Sequence, residues 1–329
     1  MSFERIGVIG GGAWGTALAQ VAASGGRETL LWAREAEVVA AINRRHENSV
    51  FLPGVPLDGT IRATGDLGEF ESCDAWLVVV PAQHIRSVLA QAPPADVPLV
   101  LCAKGIEERS GKLVHEIARE LCPGAPLAVL SGPTFAHEVA NGLPTAVTLA
   151  AEDLALAEQL RDRLARPAFR IYVSQDVAGA EIGGAVKNVL AIACGVVEGR
   201  GLGQNARAAL IARGFAEMTR FGLARGAQRE TLAGLSGLGD LVLTCSSTSS
   251  RNYSLGKGIG EGRAAFELLA DHRTVAEGAF TAPVLARIAA DEGIDMPIVE
   301  AVADLIAGRS SVDAVLEALL SRPPKAEAV

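Results

Sequence analysis

The chain has 329 residues, of which 49% are hydrophobic, and a formal net charge of −8. This length and apolar content are enough for a sizeable core divided between two domains. The acidic balance argues against a nucleic-acid-binding surface, although a few local cations suffice to bind a small anion. The five cysteines lie far apart without a CxxC pair, which favours reduced thiols in a cytoplasmic protein over a disulfide framework or a zinc site. The sequence predicts neither a signal peptide nor a membrane span.

The first half of the chain alternates short apolar runs with helical stretches. Strands are predicted at 6–9, 29–32, 75–80, 98–102, 127–130, 145–149 and 170–173. Helices are predicted at 15–23, 35–43, 83–91 and 112–121. This order predicts an α/β fold with a Rossmann-type, mainly parallel sheet covered on both faces.

The second half is Ala-rich and helical, and the strand pattern stops near residue 180. We therefore expect an N-terminal Rossmann domain over 1–180 and a C-terminal all-α domain over 181–329. The Ala-rich helices are compatible with a homodimer.

A glycine-rich turn directly joins the first predicted strand to the first predicted helix. Gly10, Gly12 and Gly15 have the spacing of a dinucleotide-binding fingerprint, in which backbone N–H groups at the helix N-terminus bind the pyrophosphate. The alternative is a tight turn that binds nothing.

The residues after the second strand bear on which dinucleotide is bound. NAD sites usually place an acidic residue there for the ribose 2′-hydroxyl, but this strand ends at Trp32 and the next charged residue is Arg34. A cation at this point favours NADP(H), while the adjacent Glu35 leaves NAD(H) open. Arg34 is alternatively an exposed residue at a helix start.

Lys187 lies in a segment that is apolar almost all round, as expected of a helix buried in a core. Lysine is rarely buried unless it is paired, and desolvation lowers its pKa toward the range that suits a proton donor or acceptor. The alternative is a side chain that extends to the rim of the core. Asn188 beside it needs hydrogen-bond partners if it is buried.

Three further polar clusters are candidates for a site. Lys104 follows a predicted strand, at the end where open parallel sheets bind ligands. Asp240, framed by glycines, has the charge to pair with Lys187, whereas its alternative role is a helix cap. Arg251, between Ser250 and Asn252, offers the donors that clamp a phosphate. His137 and Glu138 have no partner histidine at ligand spacing, so we expect no metal.

Together these segments resemble the bacterial-type NAD(P)-dependent glycerol-3-phosphate dehydrogenases. The matching segments occur in the family's order: GGGAWGTALA (10–19), FLPG (51–54), AKGIE (103–107), SGPTFAHEV (131–139), GGAVKNVLAIACGVVEGRGLGQNARAALIARGFAEM (183–218), GLSGLGDLVLTCSS (234–247), SRN (250–252) and VAEG (275–278).

The resemblance implies a site between the two domains and assigns roles to individual residues. Lys187 matches the catalytic lysine. The residues matching substrate contacts are Lys104, Gly132, Thr134, Lys187, Asp240, Ser250, Arg251 and Asn252. The residues matching cofactor contacts, besides the glycines of the turn, are Ala13, Trp14, Arg34, Lys104, Ala136, Arg251, Val275 and Glu277. Thr134 stands where serine is more usual and keeps the hydroxyl, while Ala13 lacks a hydroxyl that the family often has.

The implied reaction interconverts dihydroxyacetone phosphate and sn-glycerol 3-phosphate, a precursor of glycerophospholipids. Lys187 would donate the proton and nicotinamide C4 the hydride. A rival is a dehydrogenase of the same build that acts on a hydroxy acid, since a carboxylate would also require lysine and arginine. A second rival is a non-catalytic NADP-sensing module, which leaves Lys187 unexplained.

Overall fold

The computed structural model describes residues 3–24, 26–270 and 276–323, and the chain divides into two compact units. The first unit comprises Met1–Ala103 and Leu113–Ala180, and the second comprises Lys104–Lys112 and Glu181–Val329. The short segment 104–112, which the sequence-based boundaries included in the N-terminal domain, thus belongs to the second unit.

The first unit contains an eight-stranded sheet in the order β10-β9-β8-β7-β6-β1-β2-β5 and a separate two-stranded hairpin of β3 and β4. The strands are β1 (Ile6–Ile9), β2 (Thr29–Trp32), β3 (Glu47–Asn48), β4 (Leu52–Pro56), β5 (Ile61–Thr64), β6 (Ala75–Val78), β7 (Leu99–Leu101), β8 (Leu127–Ser131), β9 (Thr145–Ala150) and β10 (Phe169–Ser174). All neighbouring strands of the large sheet are parallel except β8 and β9. The predicted mainly parallel sheet is confirmed.

Helices lie on both faces of this sheet, because alternate residues of each strand point to opposite sides. On β6, Leu77 belongs to one hydrophobic cluster and its neighbours Trp76 and Val78 belong to another. The helices of the first unit are α1 (Ala13–Ala23), α2 (Ala36–Arg45), α3 (Ala82–Leu89), α4 (Val114–Leu121), α5 (Ala136–Ala140) and α6 (Leu154–Leu164).

Strand β5 and the hairpin strands β3 and β4 were not predicted from the sequence, and β6 ends earlier than predicted. The β5 sequence, IRAT, is short and carries Arg62, which is exposed while Ile61 and Ala63 are buried. It is an edge strand, where a charged side chain is tolerated because only one neighbour must be paired. The apolar run of β6 continues to Val80, but its strand ends at Val78.

The described residues of the second unit form helices and no strand, as predicted. They are α7 (Val177–Gly199), α8 (Gly203–Ala224), α9 (Arg229–Ala233), α10 (Asp240–Thr244), α11 (Arg251–Gly260), α12 (Ala265–Leu269), α13 (Glu277–Asp291), α14 (Pro297–Ile306) and α15 (Val312–Leu320). A short π-helix at Leu235–Gly239 leads into α10. Helix α7 is long and apolar enough to cross a membrane, but 94% of its most apolar window is buried within the protein, which is the pattern of a core helix.

Helices α7 and α11 pack backbone against backbone. A Cβ atom on Gly195 would lie 2.1 Å from the carbonyl oxygen of Tyr253, and one on Gly256 would lie 1.9 Å from that of Ile192. A side chain at either glycine would force the helices apart. This contact fixes α11 relative to α7, and thereby Asn252 relative to Asn188.

Glu217 on α8 is a buried carboxylate that caps another helix. It is 2% exposed and accepts hydrogen bonds from the backbone N–H groups of Ile298 (2.9 Å) and Val299 (3.2 Å) in the first turn of α14. Burial raises its pKa from 4.5 to about 7 against the lowering effect of these bonds. Because the folded chain binds this proton more tightly than the unfolded chain, the associated stability is present below pH 4.5 and is lost as the pH rises through about 7.

We expect Glu217→Gln to reduce this pH-dependent loss, since the amide keeps an acceptor oxygen and carries no charge. The difference in melting temperature, variant minus wild type, should grow between about pH 5 and about pH 8. The corresponding change in the free energy of unfolding is about 3 kcal/mol. Thermal unfolding across that range measures it. Glu317→Gln, at an exposed site on α15, is the control, and a pH-independent difference for Glu217→Gln would contradict the prediction.

Candidate active site

The turn between β1 and α1 has the geometry that a dinucleotide requires. Gly10 has a positive φ of 130°, and a Cβ atom on Gly15 would lie 1.8 Å from the carbonyl oxygen of Gly10. These two glycines therefore allow the chain to reverse and the helix to pack closely on the strand. A Cβ atom on Gly12 would meet no protein atom within 4 Å. The space in front of Gly12 is thus open to a ligand.

The N-terminus of α1 is suited to bind an anion. Gly12 is its N-cap residue and offers no side chain to the free N–H groups, and the first turn holds no acidic residue. The indole Nε1 of Trp14 is buried without a hydrogen-bond partner among the described residues. Ala13, Trp14 and Ala136, the first residue of α5, pack against the same hydrophobic cluster. The turn, the helix end and the buried donor fit a dinucleotide.

Arg34 lies just beyond β2, and its side chain is 78% exposed. Its guanidinium group donates to the carboxylate of the adjacent Glu35 at 2.9 Å. Exposed pairs of this kind contribute little to stability, so Arg34 can exchange Glu35 for another anion at small cost.

The turn after β8 contains the two predicted substrate residues of the first unit. The hydroxyl of Thr134 donates to the carbonyl oxygen of Gly132 at 3.3 Å, a bond inside the turn. A Cβ atom on Gly132 would lie 2.9 Å from the Cα of Val147, so β9 leaves no room for a side chain there. The hydroxyl of Ser131 is buried with no partner among the described residues. Ser131 was not singled out from the sequence.

In the second unit, one buried carboxylate joins two lysines that are far apart in sequence. Asp240, the first residue of α10, is fully buried. One of its oxygens accepts from Nζ of Lys187 at 2.7 Å, and the other accepts from Nζ of Lys104 at 2.7 Å. The expected pairing of Asp240 with Lys187 is present. Its alternative role as a helix cap is not, because the N-cap residue of α10 is Gly239 and no side chain caps that helix.

Thr244 completes the environment of Lys187. Its hydroxyl accepts from Nζ of Lys187 at 2.8 Å and donates to Asp240 at 3.2 Å. Thr244 was not among the residues predicted from the sequence. Its position four residues after Asp240 on a short helix was the available signal, because residues at that spacing share a helix face.

The surroundings of Lys187 make its proton labile near neutral pH. Its side chain is 7% exposed, so the charged form loses hydration. Desolvation lowers the pKa of Lys187 to about 8, with the positive charge of Lys104 acting in the same direction and Asp240 opposing both. A buried, hydrogen-bonded ammonium group with this pKa can act as an acid or, after losing its proton, as a base.

Two asparagines extend the site as a chain of hydrogen bonds. Asn188 donates from Nδ2 to the carbonyl oxygen of Lys104 at 3.1 Å, and its own Oδ1 accepts from Nδ2 of Asn252 at 3.0 Å. Oδ1 of Asn252 accepts from the backbone N–H of Gly278 at 2.9 Å. A Cβ atom at position 278 would lie 2.5 Å from the carbonyl oxygen of Asn188. This series of hydrogen bonds therefore fixes both amide groups and connects the segment at 104 to α7, α11 and α13.

Three of the remaining predicted residues of the second unit lie at helix starts. Ser250 is the N-cap of α11, where its hydroxyl accepts from the backbone N–H of Tyr253 at 3.2 Å. Arg251, the next residue, is exposed. Glu277 is the first residue of α13. Val275 lies outside the described residues.

Comparisons with known proteins agree along the chain. A family model described as the N-terminus of NAD-dependent glycerol-3-phosphate dehydrogenase matches residues 5–157, and the model of its C-terminus matches residues 176–317. A Sphingopyxis alaskensis protein named glycerol-3-phosphate dehydrogenase (NAD(P)+) 1 is 63% identical over 326 residues, which is 99% of each chain. An Erythrobacter litoralis protein named glycerol-3-phosphate dehydrogenase (NAD(P)+) is 64% identical over 323 residues, 98% of each chain. The crystal structure of glycerol-3-phosphate dehydrogenase from Coxiella burnetii superposes with a TM-score of 0.92 at 37% identity and covers 97% of this chain and 99% of its own.

The open space at Gly12 allows dinucleotide binding to be separated from folding. In Gly12→Ser the new side chain meets no protein atom and suits a helix N-cap, so the melting temperature without ligand should stay unchanged or rise. The same side chain would occupy the anion's place and weaken NADPH binding by about tenfold or more, measured by fluorescence titration. Gly15→Ala provides the contrast, because its Cβ collides with Gly10 and should lower the melting temperature. Unchanged NADPH binding in Gly12→Ser would show that the turn is not the dinucleotide site.

Proposed function

We propose that Lys187 moves the proton in the reaction of this chain, which belongs to the NAD-dependent glycerol-3-phosphate dehydrogenase family. The chain is an NAD(P)-dependent oxidoreductase that interconverts dihydroxyacetone phosphate and glycerol 3-phosphate. The observation that carries the proposal is the buried group of Lys187, Lys104 and Asp240. It combines a lysine of lowered pKa with a second cation and one shared carboxylate.

Lys187 is suited to donate a proton to the oxygen at C2 of dihydroxyacetone phosphate during reduction. A bound reduced nicotinamide supplies the hydride that C2 accepts. Asp240 and Thr244 each hold Nζ of Lys187 at hydrogen-bond distance, which leaves one of its three N–H donors for the substrate. In the reverse direction the neutral amine would accept the hydroxyl proton.

Lys104 contributes positive charge to the same place. Its ammonium group shares Asp240 with Lys187, so the developing negative charge on the C2 oxygen would meet two cations. Burial strengthens this attraction, because water does not screen it.

We assign the substrate phosphate to Arg251, supported by Ser250. We propose Gly132 and Thr134 as substrate-binding residues of the first unit. A guanidinium group binds a phosphate through paired hydrogen bonds. Asn252 has a different role in this proposal. Its amide is bonded to Asn188 and to Gly278, so it positions the neighbouring residues in addition to any contact with substrate.

For the cofactor we propose NADP(H) as the preferred dinucleotide and the cytoplasm as the place of reaction. Arg34 supports the first part, since its exposed guanidinium is free to exchange Glu35 for a 2′-phosphate. The five buried cysteines, none of them in a disulfide, support the second. The glycerol 3-phosphate would then enter glycerophospholipid synthesis.

The deciding experiment follows NADPH and NADH oxidation with dihydroxyacetone phosphate and, separately, with a 2-keto acid. We expect turnover with dihydroxyacetone phosphate and none with the 2-keto acid. Lys187→Ala should lose most of its turnover and still bind NADPH, because no residue of the cofactor turn is changed. Near-normal turnover in that variant would remove Lys187 from the proton step, and a preference for the keto acid would favour the hydroxy-acid alternative.

The pH dependence should differ in sign between the two directions. Reduction needs the ammonium form of Lys187, so kcat/KM should fall above about pH 8. Oxidation needs the amine, so its kcat/KM should rise up to about pH 8 and then level off. Initial rates in both directions measure this, with Thr244→Ser as a control that keeps the hydroxyl. Profiles of the same sign in both directions would contradict the assignment.

Cofactor choice is tested by Arg34→Ala. NADPH affinity should fall by about tenfold or more, because a charged hydrogen bond to the 2′-phosphate is lost, whereas NADH affinity should change much less. Arg45→Ala, at the C-terminal end of α2, is a matched exposed control. Equal losses for the two cofactors would mean that Arg34 does not contact the 2′-phosphate.

A further inference from the structure

Four arginines of the first unit gather without any carboxylate partner among the described residues. They are Arg27, Arg163, Arg166 and Arg170. Arg27 and Arg170 are exposed, while Arg163 is only 4% exposed. In a chain whose net charge is −8, many other arginines pair with a nearby aspartate or glutamate. An unbalanced group of cations here therefore requires a physical reason.

Arg163, near the end of α6, is the most strongly buried of the four. It donates from Nε to the carbonyl oxygen of Phe3 and from Nη1 to that of Ala22 at 3.3 Å, and both acceptors are neutral. Its Nη2 is buried and has no partner among the described residues. Burial, with the positive charges of Arg27 and Arg166, lowers the pKa of Arg163 to about 10. A buried cation with an idle donor and no counter-ion is costly.

Arg166, which lies two residues beyond the end of α6, also donates to neutral acceptors. Its Nε donates to the carbonyl oxygen and the hydroxyl of Ser24, each at 3.0 Å, and its Nη1 donates to the carbonyl oxygens of Arg163 and Ala165. These acceptors are again neutral, and burial and Arg27 lower its pKa. The acidic residues that act on this group, Glu4 and Asp74, influence Arg163 from beyond hydrogen-bond contact.

A cavity of about 370 Å³ opens beside these arginines, along the edge strand β10. It is lined by Ala165, Arg166, Pro167, Arg170, Ile171 and Tyr172. The guanidinium group of Arg170 lies 5.8 Å from the centre of the Tyr172 ring, which holds the charge over the cavity wall. The cavity has room for a small anion, and two arginines reach it.

We propose that this cavity is a binding site for a phosphate-type oxyanion, either inorganic phosphate or a phosphate monoester. Guanidinium groups bind such anions through paired, charge-assisted hydrogen bonds, and an anion here would also reduce the repulsion among the four cations. None of these arginines belongs to the residues assigned above to cofactor or substrate. The site is independent of the proposed function.

The test titrates inorganic phosphate into the full chain by calorimetry at ionic strength held constant with potassium chloride. Because the substrate site also binds phosphate in our proposal, the titration is made in an Arg251→Gln background. Arg170→Gln removes an arginine that lines the cavity, and Arg27→Gln removes a charge that acts on Arg163 and Arg166. Adding both changes should weaken the remaining phosphate binding by about tenfold or more. Arg161→Gln, on α6 with Arg163 and paired with Asp162, is the matched control and should leave phosphate binding unchanged.

Two results would overturn the proposal. One is equal phosphate affinity with and without the Arg27 and Arg170 changes, and the other is phosphate binding no tighter than that of chloride. Repeating the titration with glycerol 3-phosphate distinguishes a monoester from the free ion as the preferred ligand. Arg27→Gln with Arg170→Gln in otherwise wild-type protein should leave the KM for dihydroxyacetone phosphate unchanged, whereas Arg251→Gln should raise it. The two proposals can therefore fail separately.

Discussion

The second unit depends on the buried carboxylate of Asp240. A charge removed from water must be paired, and here it is paired twice, with Lys187 and with Lys104. Loss of the carboxylate would leave two ammonium groups facing each other in a dry environment, a change that typically costs about 3–5 kcal/mol. The same carboxylate holds Lys187 in place and keeps its pKa from falling further. Stability and the proposed proton transfer thus rest on one group.

The backbone contact between α7 and α11 supplies the precision that this site requires. Glycines on both helices let the two backbones come into contact. This close approach brings the side chain of Asn252 on α11 within hydrogen-bond distance of Asn188 on α7. Asn188 in turn holds the carbonyl oxygen of Lys104. Both asparagines sit on helices, so their positions are set by packing and not by a flexible loop. Lys104 therefore reaches Asp240 from a segment whose backbone is held by a residue on a packed helix.

Local patterns in the sequence were enough to predict the sheet, the glycine turn and the buried lysine. The turn was predictable because Gly10 and Gly15 act on their immediate neighbours, and Lys187 because a charge in an apolar helix is visible in one segment. The pairing of Lys104 with Asp240 was not predictable from physical reasoning, because it joins residues 136 positions apart. Thr244 was missed because its one signal, the spacing of four residues from Asp240, has meaning only once a helix is known to begin at Asp240. Strand β5 was missed because an edge strand needs little hydrophobicity.

The chain stabilises its buried cations in two different ways, and the contrast indicates where ligands belong. Around Asp240, two lysines share one carboxylate, so the group carries one excess positive charge while Lys187 is protonated. That excess matches a reaction in which an oxygen gains negative charge. Around Arg163 the acceptors are backbone carbonyls, which satisfy hydrogen bonds but place no counter-charge in contact with the guanidinium group. In our proposal, the excess positive charge near Asp240 is balanced only while the substrate oxygen carries negative charge. The positive charge around Arg163 would be balanced by an anion that stays bound.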